Sequence, residues 1–164
     1  MEVMWAPWRM AYIGRGRPEH CIFCDADHEA RRDLVLTVSP AAVVMLNRFP
    51  YNNGHVLVAP RRHVARLGDL AAEEYGGLME ALRASVDILE RVMKPQGMNL
   101  GINLGATAGA GIADHLHWHA VPRWDGDTNF MPVVGEVKVM PQHLQASCET
   151  LRPHFEQWVT QRAT

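Results

Sequence analysis

The chain of 164 residues is 48% apolar and 21% charged, a composition typical of a globular protein with one core. Its formal charge of −2 provides no basic field for nucleic acid or an anionic membrane, so an anionic substrate must be held locally. No apolar run approaches the roughly 20 residues of a bilayer-spanning helix, and the first residues lack the apolar stretch of a secretory signal. We expect one domain over residues 1–164, located in the cytoplasm.

Residues 1–32 show no sustained periodicity, and we expect an irregular N-terminal arm there. The arm contains Cys21 and Cys24, whose two-residue gap lets both thiolates bind one tetrahedral metal ion. A redox role is the alternative, but such a pair is expected within a thioredoxin-like βαβ unit, and none is visible around it. Cys148 is isolated in the sequence and is interpreted as a lone thiol.

Three short runs rich in β-branched and apolar residues follow the arm and predict three strands. A Ser-Pro turn separates the first two runs, which therefore form a hairpin. A loop then leads to the third run, which ends at Pro60. The predicted strands cover residues 34–38, 41–46 and 55–59.

Apolar side chains recur at spacings of three and four between Leu78 and Met93, which predicts an amphipathic helix. Asp69 is the predicted N-cap, and Lys94 with Pro95 marks the end, because proline lacks the backbone donor that the next turn requires. Short connections and one long helix predict an α+β fold with an antiparallel sheet. The remaining predicted elements are a strand over 98–104, a small-residue loop over 105–111, a strand over 115–121 and a helix over 142–161.

Three histidines alternate with apolar residues in the segment His115-Leu116-His117-Trp118-His119. Alternate side chains of a strand face opposite sides, so the three imidazoles share one face and the apolar side chains the other. The apolar face packs on the core and leaves the histidine face open. Imidazoles in this arrangement can act as nucleophile, proton carrier and phosphate ligand near neutral pH. Binding of one metal ion by all three is the alternative.

This alternation is similar to the pattern of the histidine triad (HIT) family, and the similarity covers residues 33–123. Further matching segments occur in the family's order: Asn47-Arg48, Gly54-His55, Pro60 before His63, and Asn103 with Gly105. The flanking segments resemble a narrower branch, the bacterial proteins similar to diadenosine tetraphosphate (AP4A) phosphorylase: Trp5-Ala6-Pro7-Trp8 and Pro122-Arg123-Trp124-Asp125-Gly126.

The resemblance implies a HIT-like fold, a twisted antiparallel sheet of about five strands with a long helix packed on it. A C-terminal helix belongs to an extension over residues 124–164. Members of the family are usually homodimers that pair through the long helix and an edge strand. Trp5 and Trp8 would either cover the nucleotide site or seal the dimer.

The resemblance also implies a reaction, in which His117 attacks the α-phosphorus of a nucleotide and forms a nucleotidyl-histidine intermediate. His119 contacts the phosphate or the leaving-group oxygen, and His55 orients or relays behind the nucleophile. The favoured reaction is diadenosine tetraphosphate phosphorolysis, in which inorganic phosphate is the acceptor and the products are ADP and ATP. The alternatives are hydrolysis of a phosphoramidate or dinucleoside polyphosphate, with water as acceptor, and a non-catalytic nucleotide-binding module.

Nucleotide contacts outside the triad follow from the same resemblance. Asn47 would hold the ribose hydroxyls, although an asparagine before a loop equally often caps a turn. Asn103 would contact phosphate or leaving group. The glycine-rich loop would present backbone N–H groups to phosphoryl oxygens, although such a stretch is often only a flexible turn. The loop residues concerned are Gly109, Gly111 and Ile112.

The zinc-containing relatives complete the ligand set of Cys21 and Cys24 with two histidines, which here are His63 and His115. Two thiolates and two neutral imidazoles close the tetrahedral coordination of Zn²⁺. The ion would therefore be structural and would pin the N-terminal arm to the catalytic strand.

Overall fold

The computed structural model describes residues 20–28, 33–128, 134–135, 140 and 142–162; Trp5 and Trp8 lie outside the described residues. Within these ranges five strands form one antiparallel sheet in the order β1-β2-β3-β5-β4. The predicted hairpin is confirmed by the pairing of the first two strands. The strands are β1 (Val35–Val38), β2 (Ala42–Leu46), β3 (Val56–Pro60), β4 (Gly97–Ile102) and β5 (Trp118–Arg123).

Two helices pack on this sheet, α1 (Ala72–Met93) and α2 (Leu144–Arg162). The long helix buries Leu78 and Leu89 against the core and lies against β2, β3 and β5. The C-terminal helix contacts β1 and α1, and its Phe155 is completely buried. The predicted α+β class and antiparallel sheet are therefore confirmed. Among the described residues no helix is long and apolar enough to span a bilayer.

The N-cap of α1 is Ala71, and the prediction of Asp69 is wrong. Asp69 belongs to a short 3₁₀ turn, Leu67–Asp69, which precedes the helix. The carboxylate of Glu74 accepts the backbone N–H of Ala71 over 2.8 Å and thereby supplies the cap. The predicted C-terminal end is confirmed, because the helix stops at Met93 and Lys94 adopts the left-handed conformation.

The strand that carries the histidines begins at Trp118, three residues later than predicted. Before that point the chain bends, and the N–H of Leu116 donates to the carbonyl of Val64 over 2.7 Å rather than to a neighbouring strand. The prediction of an open histidine face is also wrong. His115 and His117 are 0% and 4% exposed, so both rings lie beneath the protein surface.

Candidate active site

His117 is held by the backbone at one ring nitrogen. Its Nδ1 lies 2.8 Å from the carbonyl oxygen of His115, and because a carbonyl only accepts, Nδ1 carries the proton and donates. The neutral ring therefore has its lone pair on Nε2. Burial lowers the pKa of His117, which favours that neutral form. The ring is thus oriented and protonated as a nucleophile requires.

A second pair of imidazoles, His55 and His119, lies beside the first. Tyr51 donates its backbone N–H to Nδ1 of His55 over 3.0 Å, so the proton of the neutral His55 ring is on Nε2. That Nε2 donates to Nδ1 of His119 over 2.9 Å. The proton of neutral His119 is consequently on Nε2, a buried atom for which the described part of the chain offers no hydrogen-bond partner. His119 therefore presents an unused donor.

The rings of this pair are packed closely with the nucleophile and with Tyr51. The centroid of His119 lies 5.0 Å from that of His117, and Tyr51 stacks on His119 at 5.7 Å and an angle of 21°. Burial, and to a smaller extent the nearby His117, lowers the pKa of His119 to about 4. The three predicted catalytic residues His117, His119 and His55 are thus brought together.

The four predicted metal ligands also converge. Their ligand atoms, in Cys21, Cys24, His63 and His115, all lie within 4.8 Å of one another. Nδ1 of His115 is 3.2 Å from Sγ of Cys21, and Nδ1 of His63 is 3.2 Å from Sγ of Cys24. Ligands of one tetrahedral Zn²⁺ are about 3.5 Å apart, given the usual zinc–sulfur and zinc–nitrogen bond lengths. The separations therefore fit such an ion.

The surroundings of these ligands favour a cation. Nε2 of His115 donates to the carbonyl of Pro60 over 2.9 Å, which leaves the Nδ1 lone pair directed at the cysteines. Partial desolvation, and then the neighbouring Cys21, raises the pKa of the Cys24 thiol to about 11. A thiolate at Cys24 therefore requires a compensating positive charge, which a divalent metal ion provides.

Phe23, between the two cysteines, joins the two clusters. Its side chain is 1% exposed, and its ring centroid lies 5.0 Å from that of His115 and 5.2 Å from that of His117. Sequence reasoning identified neither Phe23 nor Tyr51, because both act through contacts between distant parts of the chain. The only local signal for Phe23 was its place inside the cysteine motif.

Asn47 makes the turn contact that was the alternative to ribose binding. Its Oδ1 accepts the N–H of Phe49 over 2.9 Å, as in an Asx turn. Its Nδ2 lies 3.3 Å from Nδ1 of His55, so the amide adds a second donor to that nitrogen. Asn47 therefore contacts the histidine pair through His55.

The other predicted nucleotide contacts lie on the connection between β4 and β5. Gly105 and Gly109 have φ values of 82° and 89°, which permit the turns on either side of the 3₁₀ segment Ala106–Ala108. Across the described residues no hydrogen bond links Asn103, Gly109, Gly111 or Ile112 to a triad imidazole. A cleft of about 450 Å³ that was not predicted opens beside this connection; it is lined by Ala65, Arg66, Leu67, Gly68, Leu104, Gly105 and Ala113.

Comparison with protein families places this geometry in context. A family model described as the HIT domain matches residues 28–126. An AP-4-A phosphorylase of Mycobacterium tuberculosis is 35% identical over 174 residues, covering 98% of this chain and 86% of that protein. An asymmetrical bis(5'-nucleosyl)-tetraphosphatase of Schizosaccharomyces pombe is 36% identical over 86 residues, covering 52% of this chain and 47% of the yeast protein.

Solved structures confirm the fold. A Zn-bound histidine triad family protein from Mycobacterium smegmatis superposes with a TM-score of 0.65 at 24% identity, covering 86% of this chain and 96% of that one. A hypothetical histidine triad nucleotide-binding protein from Sulfolobus tokodaii gives a TM-score of 0.65 at 22% identity, covering 84% of this chain and 93% of that one. At these identities the likeness concerns the fold alone.

Proposed function

Since the chain belongs to the HIT domain family, as its match over residues 28–126 shows, we propose that it is an enzyme that cleaves dinucleoside polyphosphates through a covalent intermediate on His117. One observation carries the proposal: Nδ1 of His117 donates to the carbonyl of His115 and leaves Nε2 free inside a buried site. A nitrogen held in this way is a nucleophile oriented before the substrate binds.

In the first step Nε2 of His117 attacks the α-phosphorus, so a phosphorus–nitrogen bond forms and the bond to the leaving oxygen breaks. The His117 ring becomes positively charged, and its Nδ1–H donates more strongly to the His115 carbonyl. The Nε2–H of His119 is the donor available to hydrogen-bond the leaving oxygen, a polyphosphate oxygen that departs as an anion, while His55 keeps its own proton in the bond to Nδ1 of His119 and so holds that tautomer. The charge that develops on the leaving oxygen is thus stabilised without transfer of a proton.

In the second step an acceptor oxygen attacks phosphorus and displaces His117. We favour inorganic phosphate as acceptor, so that diadenosine tetraphosphate gives ADP and ATP. The support is the AP-4-A phosphorylase of M. tuberculosis, which is similar over 98% of this chain. Water is the second candidate, because the yeast tetraphosphatase has a similar identity over about half of the chain.

The test is to incubate the purified protein with diadenosine tetraphosphate, with and without phosphate, and to analyse products and protein by mass spectrometry after a quench that avoids acid. ADP and ATP formed only with phosphate support phosphorolysis, whereas AMP and ATP in its absence support hydrolysis. His117→Ala must abolish turnover and the adduct, and the matched control is His154→Ala on α2. Equal nucleotide binding by wild type and His117→Ala without any adduct would make the protein a binding module and overturn the proposal.

We also propose that Cys21, Cys24, His63 and His115 hold Zn²⁺. The donor set and its spacing support this assignment. Four protein ligands leave no position for water, so the ion has a structural role and fixes residues 21–24 to His115. Asn47, Asn103 and the loop that contains Gly109, Gly111 and Ile112 remain the proposed contacts for nucleotide.

A homodimer is the proposed assembly. β4 is one of the two outer strands of the sheet, and its Leu100 is 49% exposed. An outer strand with an exposed apolar side chain is suited to pairing with a second copy of the chain.

We place the protein in the cytoplasm, where the three free cysteines are kept reduced.

A further inference from the structure

We propose that Phe23 is a positioning residue that couples the cysteine–histidine cluster to the ring of His117. The inference rests on the proposed function, because it concerns the nucleophile of that reaction. Phe23 lies between Cys21 and Cys24, so a metal ion bound by the two thiols would fix its backbone from both sides. Its ring then contacts His115, a member of the cluster, and His117, the proposed nucleophile.

The hydrogen bond from Nδ1 of His117 fixes one corner of the imidazole but not its plane. The ring can still rotate about its side-chain bonds while that single bond bends, which would move Nε2 away from the line of attack. A second contact on the ring removes this freedom. Phe23 supplies it from 5.2 Å at an interplanar angle of 36°, and its 1% exposure means that the core holds it there. Losses near 1 Å in such alignment lower rates by about 100-fold.

The cluster is therefore connected to catalysis without touching the substrate. A metal ion that joins the cysteines to His63 and His115 holds residues 21–24 against the triad. Release of the ion removes the ties at Cys21 and Cys24 on both sides of Phe23, so that core packing alone holds the ring, and holds it less rigidly. The rate of adduct formation at His117 then falls although every triad residue is still present.

Phe23→Leu and Phe23→Ala test this coupling, with Phe155→Ala as the matched control, since Phe155 is an equally buried phenyl ring on α2. We measure the single-turnover rate of His117 adduct formation with diadenosine tetraphosphate, the KM, and the metal content per chain. Phe23→Ala should lower the rate about 10-fold or more, leave KM within about two-fold and retain the metal; Phe23→Leu should restore part of the rate. Phe155→Ala, assayed below its unfolding temperature, should react at nearly the wild-type rate.

Exchange of a ring proton provides a measurement that does not depend on turnover by the loaded enzyme. In histidine-labelled protein the Nδ1 proton of His117 should exchange slowly in wild type and rapidly in Phe23→Ala, because the ring is no longer held. Chelation of the metal should slow adduct formation in wild type much more than in Phe23→Ala, where the contact is already absent.

Several results would overturn the coupling. The first is that Phe23→Ala forms the adduct and exchanges the His117 ring proton at the same rates as wild type. The second is that Phe23→Ala has a raised KM with unchanged turnover. The third is that the rate falls only in variants that also lose the metal. If wild type forms no adduct at all, the proposed function fails, and proton exchange in Phe23→Ala still decides whether Phe23 holds the ring.

Discussion

Nε2 of His55 lies 2.9 Å from Nδ1 of His119, and this contact determines which nitrogen of His119 carries its proton. The backbone N–H of Tyr51 occupies Nδ1 of His55, so His55 must donate from Nε2. His119 accepts at Nδ1 and keeps its own proton on the buried Nε2. The backbone amide of Tyr51, in the loop before β3, thereby sets the tautomer of His119 on β5.

Replacing His55 with phenylalanine should weaken the hydrogen bond from His119 to the leaving oxygen. The ring shape is kept, but the donor to Nδ1 of His119 is lost, and either tautomer of His119 becomes available. We expect turnover of diadenosine tetraphosphate to fall by about 10- to 100-fold, close to the loss of one donor to a developing oxyanion. A nucleotide ester with a nitrophenolate leaving group, whose negative charge is spread over the ring, depends less on this donor and should be affected much less.

The control for this variant is His154→Phe on α2, which should leave both rates unchanged. The measurement is the steady-state rate of each variant with diadenosine tetraphosphate and with the nitrophenyl ester. An equal loss with both leaving groups would mean that His55 has another role, such as support of the fold.

Removing one proposed ligand of the metal should release the ion. In Cys24→Ser the metal content, measured by inductively coupled plasma mass spectrometry, should fall from one per chain to below half, because serine is a poor zinc ligand. The unfolding temperature should fall by several °C, since the ion ties residues 21–24 to His115. Cys148→Ala is the control, because Cys148 is buried away from the cluster beside Arg152. Undiminished metal content in Cys24→Ser would exclude the four-ligand site.

Features set by local sequence could be predicted, whereas those that depend on distant contacts could not. The period of α1 and the hairpin follow from neighbouring residues, and both are confirmed. The alternation of the triad predicted a strand from His115, but the bond from Leu116 to Val64 bends the chain until Trp118. Alternation records which side chains are polar, and it contains no information on which backbone partner each residue finds.

The site residues divide in the same way. The spacing of Cys21 and Cys24 identified half of the ligand set from the sequence, and resemblance identified His63 and His115. Neither source indicated that Phe23 would cover the ring of His117, because these residues meet only once the sheet and the arm have packed together. Burial of the histidines was missed for the same reason.

Acid should destabilise the protein through His119. Burial lowers the pKa of His119 from 6.5 to about 4 in the folded protein. Between these values the unfolded chain binds the extra proton, so stability falls as the pH drops from about 6.5 towards 4. His119→Gln lacks this titration. Between pH 7.5 and 4.5 its unfolding temperature should therefore decline by about 5 °C less than that of wild type. Calorimetry at both pH values checks this, and an equal decline of the unfolding temperature in the two proteins would contradict it.

The outer edge of the sheet should govern association. Placing a charge at Leu100 of β4 would bring two like charges together if that strand pairs with its copy in a second chain. We expect Leu100→Lys to shift a dimer to monomers in analytical ultracentrifugation, and Gln157→Lys, a change at an exposed residue on α2, serves as control. If both variants sediment like wild type, β4 is not the interface.

Backbone conformation, rather than the space available for a side chain, should decide whether Gly105 can be replaced in the connection between β4 and β5. A Cβ at Gly105 would meet nothing within 4 Å, yet its φ of 82° with ψ of 160° belongs to a region that is almost restricted to glycine. Gly105→Ala should therefore cost about 1–3 kcal/mol of unfolding free energy. Gly68→Ala is the matched control, because a Cβ there also meets nothing and φ is not positive. Urea titration of both variants gives the loss of unfolding free energy at each position. A loss confined to Gly105→Ala attributes the cost to the backbone angle of Gly105. Equal losses in both variants would show that this conformation is not what limits substitution.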